Sequence, residues 1–170
     1  MFKSATIIPT GDELNEGIVL DTDSPMLMGV LLSINPRGKI VRLAPVIDAE
    51  KLIIDVILKT AEESDLVVLI GGSGGGHRYS PTLGKDYTHS SLDQVLTNMF
   101  CQEMYGKNGH MWSKLVIGNI GETLVINVPG PFDEAKVAIE AFKEAYSKNE
   151  SDLENINKVM MEAVKKKYGF

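Results

Sequence analysis

The prediction of the fold starts from one run of residues, Asp65-Leu-Val-Val-Leu-Ile-Gly-Gly-Ser-Gly-Gly-Gly76. Asp65 to Ile70 is too short for a helix and too continuously apolar for a half-exposed strand, so it predicts a central strand of a parallel sheet covered on both faces. The glycines follow at its carboxyl end, where open α/β sheets bind ligands. Because glycine accepts positive φ and allows close approach to main-chain N–H groups, the loop predicts an anion cradle, with a flexible surface loop as the alternative.

The residues before this run predict β-α-β units. Strands and helices alternate in the order strand 5–9, helix from Pro25 capped by Ser24 or Asp23, strand 39–43, and a helix after Asp48 that faces the sheet through Leu52, Ile53, Val56 and Ile57. This alternation is typical of an α/β fold with a mostly parallel sheet.

The residues after the glycines predict both helices and strands. Residues 77–85 read as a loop, and a helix is expected from Asp86 through Leu92 to Met99. Residues 101–112 suit either packing or a mobile flap, and Cys101 is expected to be buried. Further on, the pattern predicts a hairpin of strands 114–117 and 122–128, a helix after Pro131, and a last helix with a Ser151–Glu154 capping box. That last helix is expected to dock on its own sheet, with a neighbouring subunit as the alternative.

The composition predicts one domain over residues 1–170, with residues 151–170 as a helical extension. Of the 170 residues, 44% are hydrophobic and 24% charged, which is a globular composition. No apolar run reaches the ~20 residues of a membrane span, so we expect a cytoplasmic protein without a membrane partner. The net charge of −6 disfavours nucleic acid as a partner. An anionic ligand would have to be held by backbone N–H groups or by a metal.

Three turns that are rich in backbone groups follow predicted strands. They are Thr10–Leu14, Gly71–Gly76 and Pro129–Pro131. Carboxylates stand near predicted helix starts beside them, at Asp12, Asp21, Asp48 and Asp86. Asp48 and Asp86 could simply cap their helices. Two carboxylates near a phosphate cradle could instead hold Mg²⁺.

These motifs together resemble the molybdopterin-binding domain family, which is shared by molybdopterin adenylyltransferases, molybdenum insertases and the competence-damage-inducible protein. The resemblance rests on Thr10-Gly-Asp-Glu-Leu14, Asp21-Thr-Asp-Ser24, Asp65 to Gly74, Asp86-Tyr-Thr88 and Val128-Pro-Gly-Pro131. It covers residues 5–142 and implies a three-layer α/β/α sandwich. Residues 77–85 depart from the family as an insertion, and Asp23 stands where the family usually has asparagine.

The resemblance also implies roles for individual residues. Asp48 and Asp86 match the aspartates that serve metal-assisted adenylyl transfer, so they are the expected catalytic and Mg²⁺-binding residues. The expected ligand contacts are Thr10, Gly11, Asp12, Asp21, Ser24, Gly71, Gly72, Ser73, Gly74, Thr88, Pro129, Gly130 and Pro131. The family commonly forms trimers or their multiples, so a homo-oligomer is expected.

We therefore expect a protein that binds molybdopterin or its adenylylated form in molybdenum-cofactor synthesis, with Mg²⁺ and ATP used for adenylyl transfer. Two alternatives stay open. The spacing of Thr10–Leu14 to Asp21 resembles the competence-damage branch, which allows a nucleotide pyrophosphatase acting on ADP-ribose or FAD. A pterin-binding protein without catalysis is the other alternative, in which residues 77–85 and Asp23 have removed the chemistry.

Overall fold

The computed structural model describes residues 1–74, 86–148 and 150–169, which form one sheet with helices on both faces. The predicted loop 77–85 lies outside the described residues. The strands are β1 (Ser4–Pro9), β2 (Lys39–Arg42), β3 (Leu66–Ile70), β4 (Thr97–Tyr105), β5 (Met111–Ile120) and β6 (Thr123–Val128). The helices are α1 (Asp12–Asn15), α2 (Asp23–Ile34), α3 (Glu50–Ala61), α4 (Thr88–Val95), α5 (Phe132–Ser147) and α6 (Leu153–Lys167).

The sheet has the strand order β2-β1-β3-β6-β5-β4. The first four strands in this order are parallel. Strand β5 is antiparallel to both of its neighbours, β6 and β4. Every residue of β3 is buried between β1 and β6, which confirms the predicted central strand. Because β1, β3 and β6 are adjacent and parallel, the turns that follow them meet at one edge of the sheet.

Alternate residues of β3 enter two separate cores. Leu66, Val68 and Ile70 pack with α2, α5 and α6 on one face of the sheet. Val67 and Leu69 pack on the other face with Ile53 and Ile57 of α3 and Leu92 of α4. This period of two confirms the three-layer α/β/α sandwich. The expected sheet contact of Leu52 is wrong, since its side chain is 42% exposed.

The β4–β5 hairpin replaces the predicted end of α4. The helix ends at Val95, and Leu96 has extended backbone angles. The remaining residues of the predicted helix, Thr97 to Met99, belong to β4. The expected burial of Cys101 is also wrong, because this thiol is exposed. On the edge strand β4, Phe100 and Met104 face the core that includes α6. Cys101 points to the opposite face. Helical spacing in the sequence predicted the wrong end for α4, and the usual burial of free cysteine predicted the wrong environment for Cys101.

Helix α6 docks on its own chain, against α5, β4 and β5, as expected. Its N-cap is Asp152, whose side chain accepts hydrogen bonds from Glu154 N and Asn155 N, so the predicted capping role of Ser151 is wrong. The buried Asn157 amide donates to the carbonyls of Phe100 (3.0 Å) and Leu115 (3.1 Å). One side chain therefore fixes α6 to both strands of the hairpin. Among the described residues, none of the helices combines the length and hydrophobicity needed to cross a bilayer.

The substitution Asn157→Ala should destabilise the protein by about 2–3 kcal/mol, because two buried carbonyls lose their donor. Asn155→Ala on the exposed face of the same helix should cost less than about 1 kcal/mol. Urea unfolding followed by circular dichroism measures both. Equal losses in the two variants would show that the buried amide does not fix the helix.

Candidate functional site

A cleft of about 1020 Å³ opens where the turns after β1, β3 and β6 meet. The residues that line it include members of all three predicted turns, together with residues of α2, α5, the β4–β5 hairpin and Tyr168. Of the expected ligand contacts and catalytic residues, those on the cleft wall are Thr10, Asp21, Gly71, Gly72, Ser73, Gly74, Asp86, Gly130 and Pro131. Those that the structure places away from its lining are Gly11, Asp12, Ser24, Asp48, Thr88 and Pro129.

The floor of the cleft is a bonded set of backbone turns. Thr10 N–H donates to Ile70 O at 2.9 Å, and Gly71 N–H donates to Val128 O at 3.2 Å. Gly71 and Gly72 then turn the chain with φ values of 88° and 59°, a conformation that favours glycine. A Cβ on Gly130 would lie 3.5 Å from the Cα of Gly71, so the turns after β3 and β6 are in close contact.

The first turn of α4 holds the glycine loop from below. The Thr88 hydroxyl lies 2.8 Å from the Thr10 hydroxyl, and Thr88 is fully buried. His89 N–H donates to Gly72 O at 3.4 Å, and His89 Nε2 lies 3.1 Å from Gly74 O. Because a carbonyl only accepts, Nε2 carries the hydrogen in this contact. Thr88 thus positions the loop from beneath and does not line the cleft.

The start of β5 holds the same loop from the side. Lys114 N–H donates to Ser73 O at 2.8 Å, where β5 has separated from β6. The gap between these strands is bridged by Asn127, which accepts from Val116 N at 2.6 Å and donates to Lys114 O at 3.0 Å. Asn127 was missed by the sequence reasoning. An asparagine among the apolar residues of 124–128 was the available signal in the sequence, and the structure shows that its side chain is fully buried.

The start of α2 forms an acidic wall. The expected caps Ser24 and Asp23 do not cap this helix, since its N-cap is Thr22 and has no side-chain bond. Asp21 instead accepts from Ser24 N at 2.9 Å and pairs with Arg42 at 2.7 Å. Burial pushes the pKa of Asp21 upward, but the hydrogen bonds from Ser24 and the pairing with Arg42 outweigh it and hold the pKa below its ordinary value.

Asp23 is the most perturbed carboxyl group on the cleft wall. It is 8% exposed, and its Oδ1 atom is buried with no hydrogen-bond partner among the described residues. Burial, together with the charge of Asp21, raises the pKa of Asp23 to about 6. The carboxyl group that replaces the family's usual asparagine therefore lies at the cleft with one unsatisfied oxygen.

The two predicted catalytic aspartates lie in different settings. Asp48 N–H donates to Asp12 Oδ1 at 2.9 Å, and Asp12 N–H lies 3.4 Å from Asp48 Oδ2, which ties α1 to the segment before α3. Asp86 lines the cleft, and its Oδ2 would lie 2.8 Å from a Cβ on Gly74. Neither carboxylate caps a helix, because the N-caps are Ala49 and Tyr87. The simple capping explanation is wrong for both.

The electrostatic character of the cleft is acidic. The carboxylate residues on its wall are Glu13, Asp21, Asp23, Asp86 and Glu134. None of the described residues on that wall is lysine or arginine. Within the described part of the chain there is also no cluster of three or more His, Cys, Asp or Glu side chains suited to a metal ion. Backbone N–H groups are therefore the main described partners for an anion.

The family model for a probable molybdopterin binding domain matches residues 6–148 of the chain. The chain belongs to this family. The match ends before α6, so the helix at 153–167 lies beyond the family region.

Known proteins resemble this molybdopterin-binding domain at low identity. A CinA-like protein of Thermosipho melanesiensis is 24% identical over 86% of this chain and 44% of its own length. The chain thus spans less than half of that relative. The molybdopterin biosynthesis enzyme MoaB of Thermus thermophilus has a TM-score of 0.61 at 21% identity, over 94% of this chain and 97% of its own. A molybdopterin biosynthesis protein of Mycobacterium abscessus has a TM-score of 0.67 at 18% identity, over 91% and 98%.

The substitution Gly72→Ala should destabilise the domain by about 2–4 kcal/mol, because positive φ is strained for alanine. Its Cβ would also lie 2.2 Å from Thr88 Oγ1. Gly130→Ala, where the nearest atom is 3.5 Å away, should change stability by less than about 0.5 kcal/mol. Thermal unfolding of both variants checks this, and similar melting temperatures would contradict the loop geometry.

The substitution Asp23→Asn should stabilise the protein in a pH-dependent way. Because the folded pKa of about 6 lies above the ordinary 3.8, the folded state keeps its proton more tightly. At low pH the group is protonated in both states. As the pH rises through the ordinary pKa, the unfolded state ionises first. Above the folded pKa, the ionised Asp23 lowers the free energy of unfolding of the parent protein by up to about 3 kcal/mol.

We therefore expect Asp23→Asn to be about 1–3 kcal/mol more stable than the parent at about pH 8 and nearly equal to it at about pH 4. Urea unfolding at the two pH values measures this difference. Asp55→Asn on the exposed face of α3 serves as the control and should show no pH-dependent gain. If Asp23→Asn gains the same stability at both pH values, burial of a charge is not the cause of the gain.

Proposed function

We propose that the cleft binds molybdopterin or adenylylated molybdopterin and that the protein acts in molybdenum-cofactor synthesis by Mg²⁺-dependent adenylyl transfer. Membership of the molybdopterin binding family supports this proposal. The single observation that carries it is the convergence of the turns after β1, β3 and β6 on one cleft of about 1020 Å³. A cleft of this size suits a pterin that carries a phosphate or a nucleotide.

The anionic part of such a ligand fits the backbone floor. Cβ atoms on Gly71 and Gly72 would meet Thr10 and Thr88 beneath the loop, so glycine allows the tight turn with positive φ. Such a turn can present main-chain N–H groups of the loop to a phosphate. Pro131 is the N-cap of α5, and both Pro131 and Phe132 line the cleft, so the positive end of this helix dipole faces it. The described cleft wall includes His110 but no lysine or arginine, so these backbone groups are the main described attraction for an anion.

The acidic wall fits a divalent cation that accompanies the anion. Mg²⁺ is usually held by one or two carboxylates together with phosphate oxygens and water, so a cluster of three protein carboxylates is not required. Asp86 lies beside the glycine loop and is the carboxylate best placed to hold it. Asp48, bonded to Asp12 away from the cleft lining, stays a predicted second ligand.

In the proposed transfer, a phosphate oxygen of molybdopterin attacks the α-phosphorus of ATP. The bond to the bridging oxygen of the β-phosphate breaks, and pyrophosphate leaves with its electron pair. A bound Mg²⁺ would neutralise the negative charge of the phosphates. The chain itself contributes the backbone floor that orients both phosphates in line.

A second function is favoured by the CinA-like relative of Thermosipho melanesiensis and by the spacing of Thr10–Leu14 to Asp21. It is the hydrolysis of a dinucleotide such as ADP-ribose or FAD. Water attacks one phosphorus of the pyrophosphate, the bond from that phosphorus to the bridging oxygen breaks, and two monophosphates are formed. The same backbone floor and the same carboxylate would serve this reaction. The two reactions differ in the attacking oxygen and in the nucleotide that is attacked, so a turnover measurement distinguishes them.

The ligand that co-purifies with the protein, identified by absorbance and mass spectrometry, tests the proposal most directly. The purified protein is then incubated with Mg²⁺ and either molybdopterin plus ATP or ADP-ribose alone. Adenylylated molybdopterin and pyrophosphate in the first mixture support the proposal. AMP and ribose 5-phosphate in the second mixture support hydrolysis instead. If the protein binds the pterin but catalyses neither reaction, the proposed ligand is supported and the proposed adenylyl transfer is contradicted.

The substitution Asp86→Asn should lower the Mg²⁺-dependent turnover by about 100-fold or more, because it removes the charge that holds the cation. The melting temperature should stay within a few degrees, since asparagine keeps a hydrogen-bond acceptor of the same shape at this position. Asp55→Asn on α3 is the matched control and should keep full turnover. Full Mg²⁺-dependent turnover in Asp86→Asn would contradict the role of Asp86 as a metal ligand.

A further inference from the structure

We infer that Tyr168 and Trp112 together form an aromatic wall of the cleft that holds a planar heteroaromatic ring of the ligand. Tyr168 lies beyond the matched family region of residues 6–148, so a segment outside that region would complete the binding site. The inference rests on the proposed function in taking this ring to be a pterin or an adenine.

Tyr168 is held in place by contacts to the first turn of α5. It directly follows α6, and its hydroxyl donates a hydrogen bond to Glu134. The neighbouring Lys167 Nζ lies 2.9 Å from Asp133 Oδ2. Helix α6 is itself anchored on the sheet by the buried amide of Asn157. Helix α6 and these contacts therefore fix the position of the Tyr168 ring at the cleft.

Trp112 reaches the same place from the β4–β5 hairpin. Its carbonyl oxygen would lie 3.5 Å from a Cβ on Gly74, so its backbone runs beside the glycine loop. Its indole lies over Gly106, where a Cβ would be only 2.4 Å from Nε1. The absence of a side chain at Gly106 thus gives the indole its position at the hairpin.

The two rings meet at the wall of the cleft. Their centroids are 5.2 Å apart and their planes are inclined by 61°, which is an edge-to-face contact. Both residues line the cleft, and they are 43% and 44% exposed, so part of each ring can contact a ligand. An exposed aromatic ring face in a cleft with an acidic wall favours a planar ligand ring, since aromatic stacking needs no basic side chain.

Tyr168 also suits an acidic cleft by staying neutral. The hydrogen bond to Glu134 raises the pKa of the Tyr168 phenol to about 12, with burial adding to the effect. A phenol with the ordinary pKa of 10 is already neutral at neutral pH, and the raised pKa extends this to higher pH, so the ring adds apolar surface without negative charge.

The test uses calorimetric affinities together with the fluorescence of Trp112, which is the single tryptophan of the chain. The probes are 6-hydroxymethylpterin, ADP-ribose and, as a compound without an aromatic ring, ribose 5-phosphate. Tyr168→Leu removes the ring, whereas Tyr168→Phe keeps the ring and removes only the hydrogen bond to Glu134. Tyr105→Leu is the matched control, because Tyr105 also donates to a glutamate, Glu103 at 2.6 Å, but lies outside the cleft lining.

We expect the pterin to change the Trp112 fluorescence and to bind Tyr168→Leu about tenfold more weakly than the parent. Tyr168→Phe and Tyr105→Leu should bind it within about twofold of the parent. Ribose 5-phosphate, if it binds, should show the same affinity for all four proteins. Melting temperatures of the variants establish that each one is folded.

The outcomes separate this inference from the proposed function. Pterin binding that Tyr168→Leu leaves unchanged overturns the aromatic wall and keeps the proposed ligand. Binding of ADP-ribose alone, weakened by Tyr168→Leu, overturns the pterin and supports the wall. If Tyr168→Phe loses as much affinity as Tyr168→Leu, the hydroxyl and not the ring is responsible, and the inference fails. A protein that binds neither aromatic probe overturns both.

Discussion

The structure depends on the hydrogen bonds that join the carboxyl ends of β1, β3 and β6. The backbone and hydroxyl of Thr10 both donate to Ile70 O at 2.9 Å, and Gly71 continues the set by donating to Val128 O. These bonds satisfy backbone groups at strand ends that would otherwise be buried without partners. They also force the chain into the left-handed turn at Gly71 and Gly72, which brings the three backbone turns to one cleft.

The electrostatics of the cleft follow from this use of backbone groups. Helix ends and main-chain N–H groups attract an anion, while the carboxylates around them repel it unless a cation comes with the ligand. Asp23 shows the cost of this arrangement, because burial and the charge of Asp21 raise its pKa to about 6. Residues that lower stability in this way are typical of functional sites.

The rim of the cleft is built by parts of the chain that differ from its floor. Val19 and Leu20 line the cleft although they are 51% and 82% exposed, so the segment before α2 presents apolar surface there. Trp112 of the hairpin and Tyr168 after α6 also line the cleft. The floor lies in the region that the family model matches, whereas Tyr168 lies outside it.

The sequence by itself determined the features that short-range patterns encode: the buried strand at 66–70, the glycine loop after it, the parallel β-α-β order and the positions of the three turns. Hydrophobic period and glycine placement act within about ten residues, so one chain segment is enough to predict them. The tertiary structure alone decided that residues up to Met99 join a strand, that Cys101 is exposed, that Thr88 is buried beneath Gly72, and that Tyr168 reaches the cleft. Each of these depends on contacts between distant segments, such as the bond from Thr10 to Thr88 across 78 positions, and no local period carries that information.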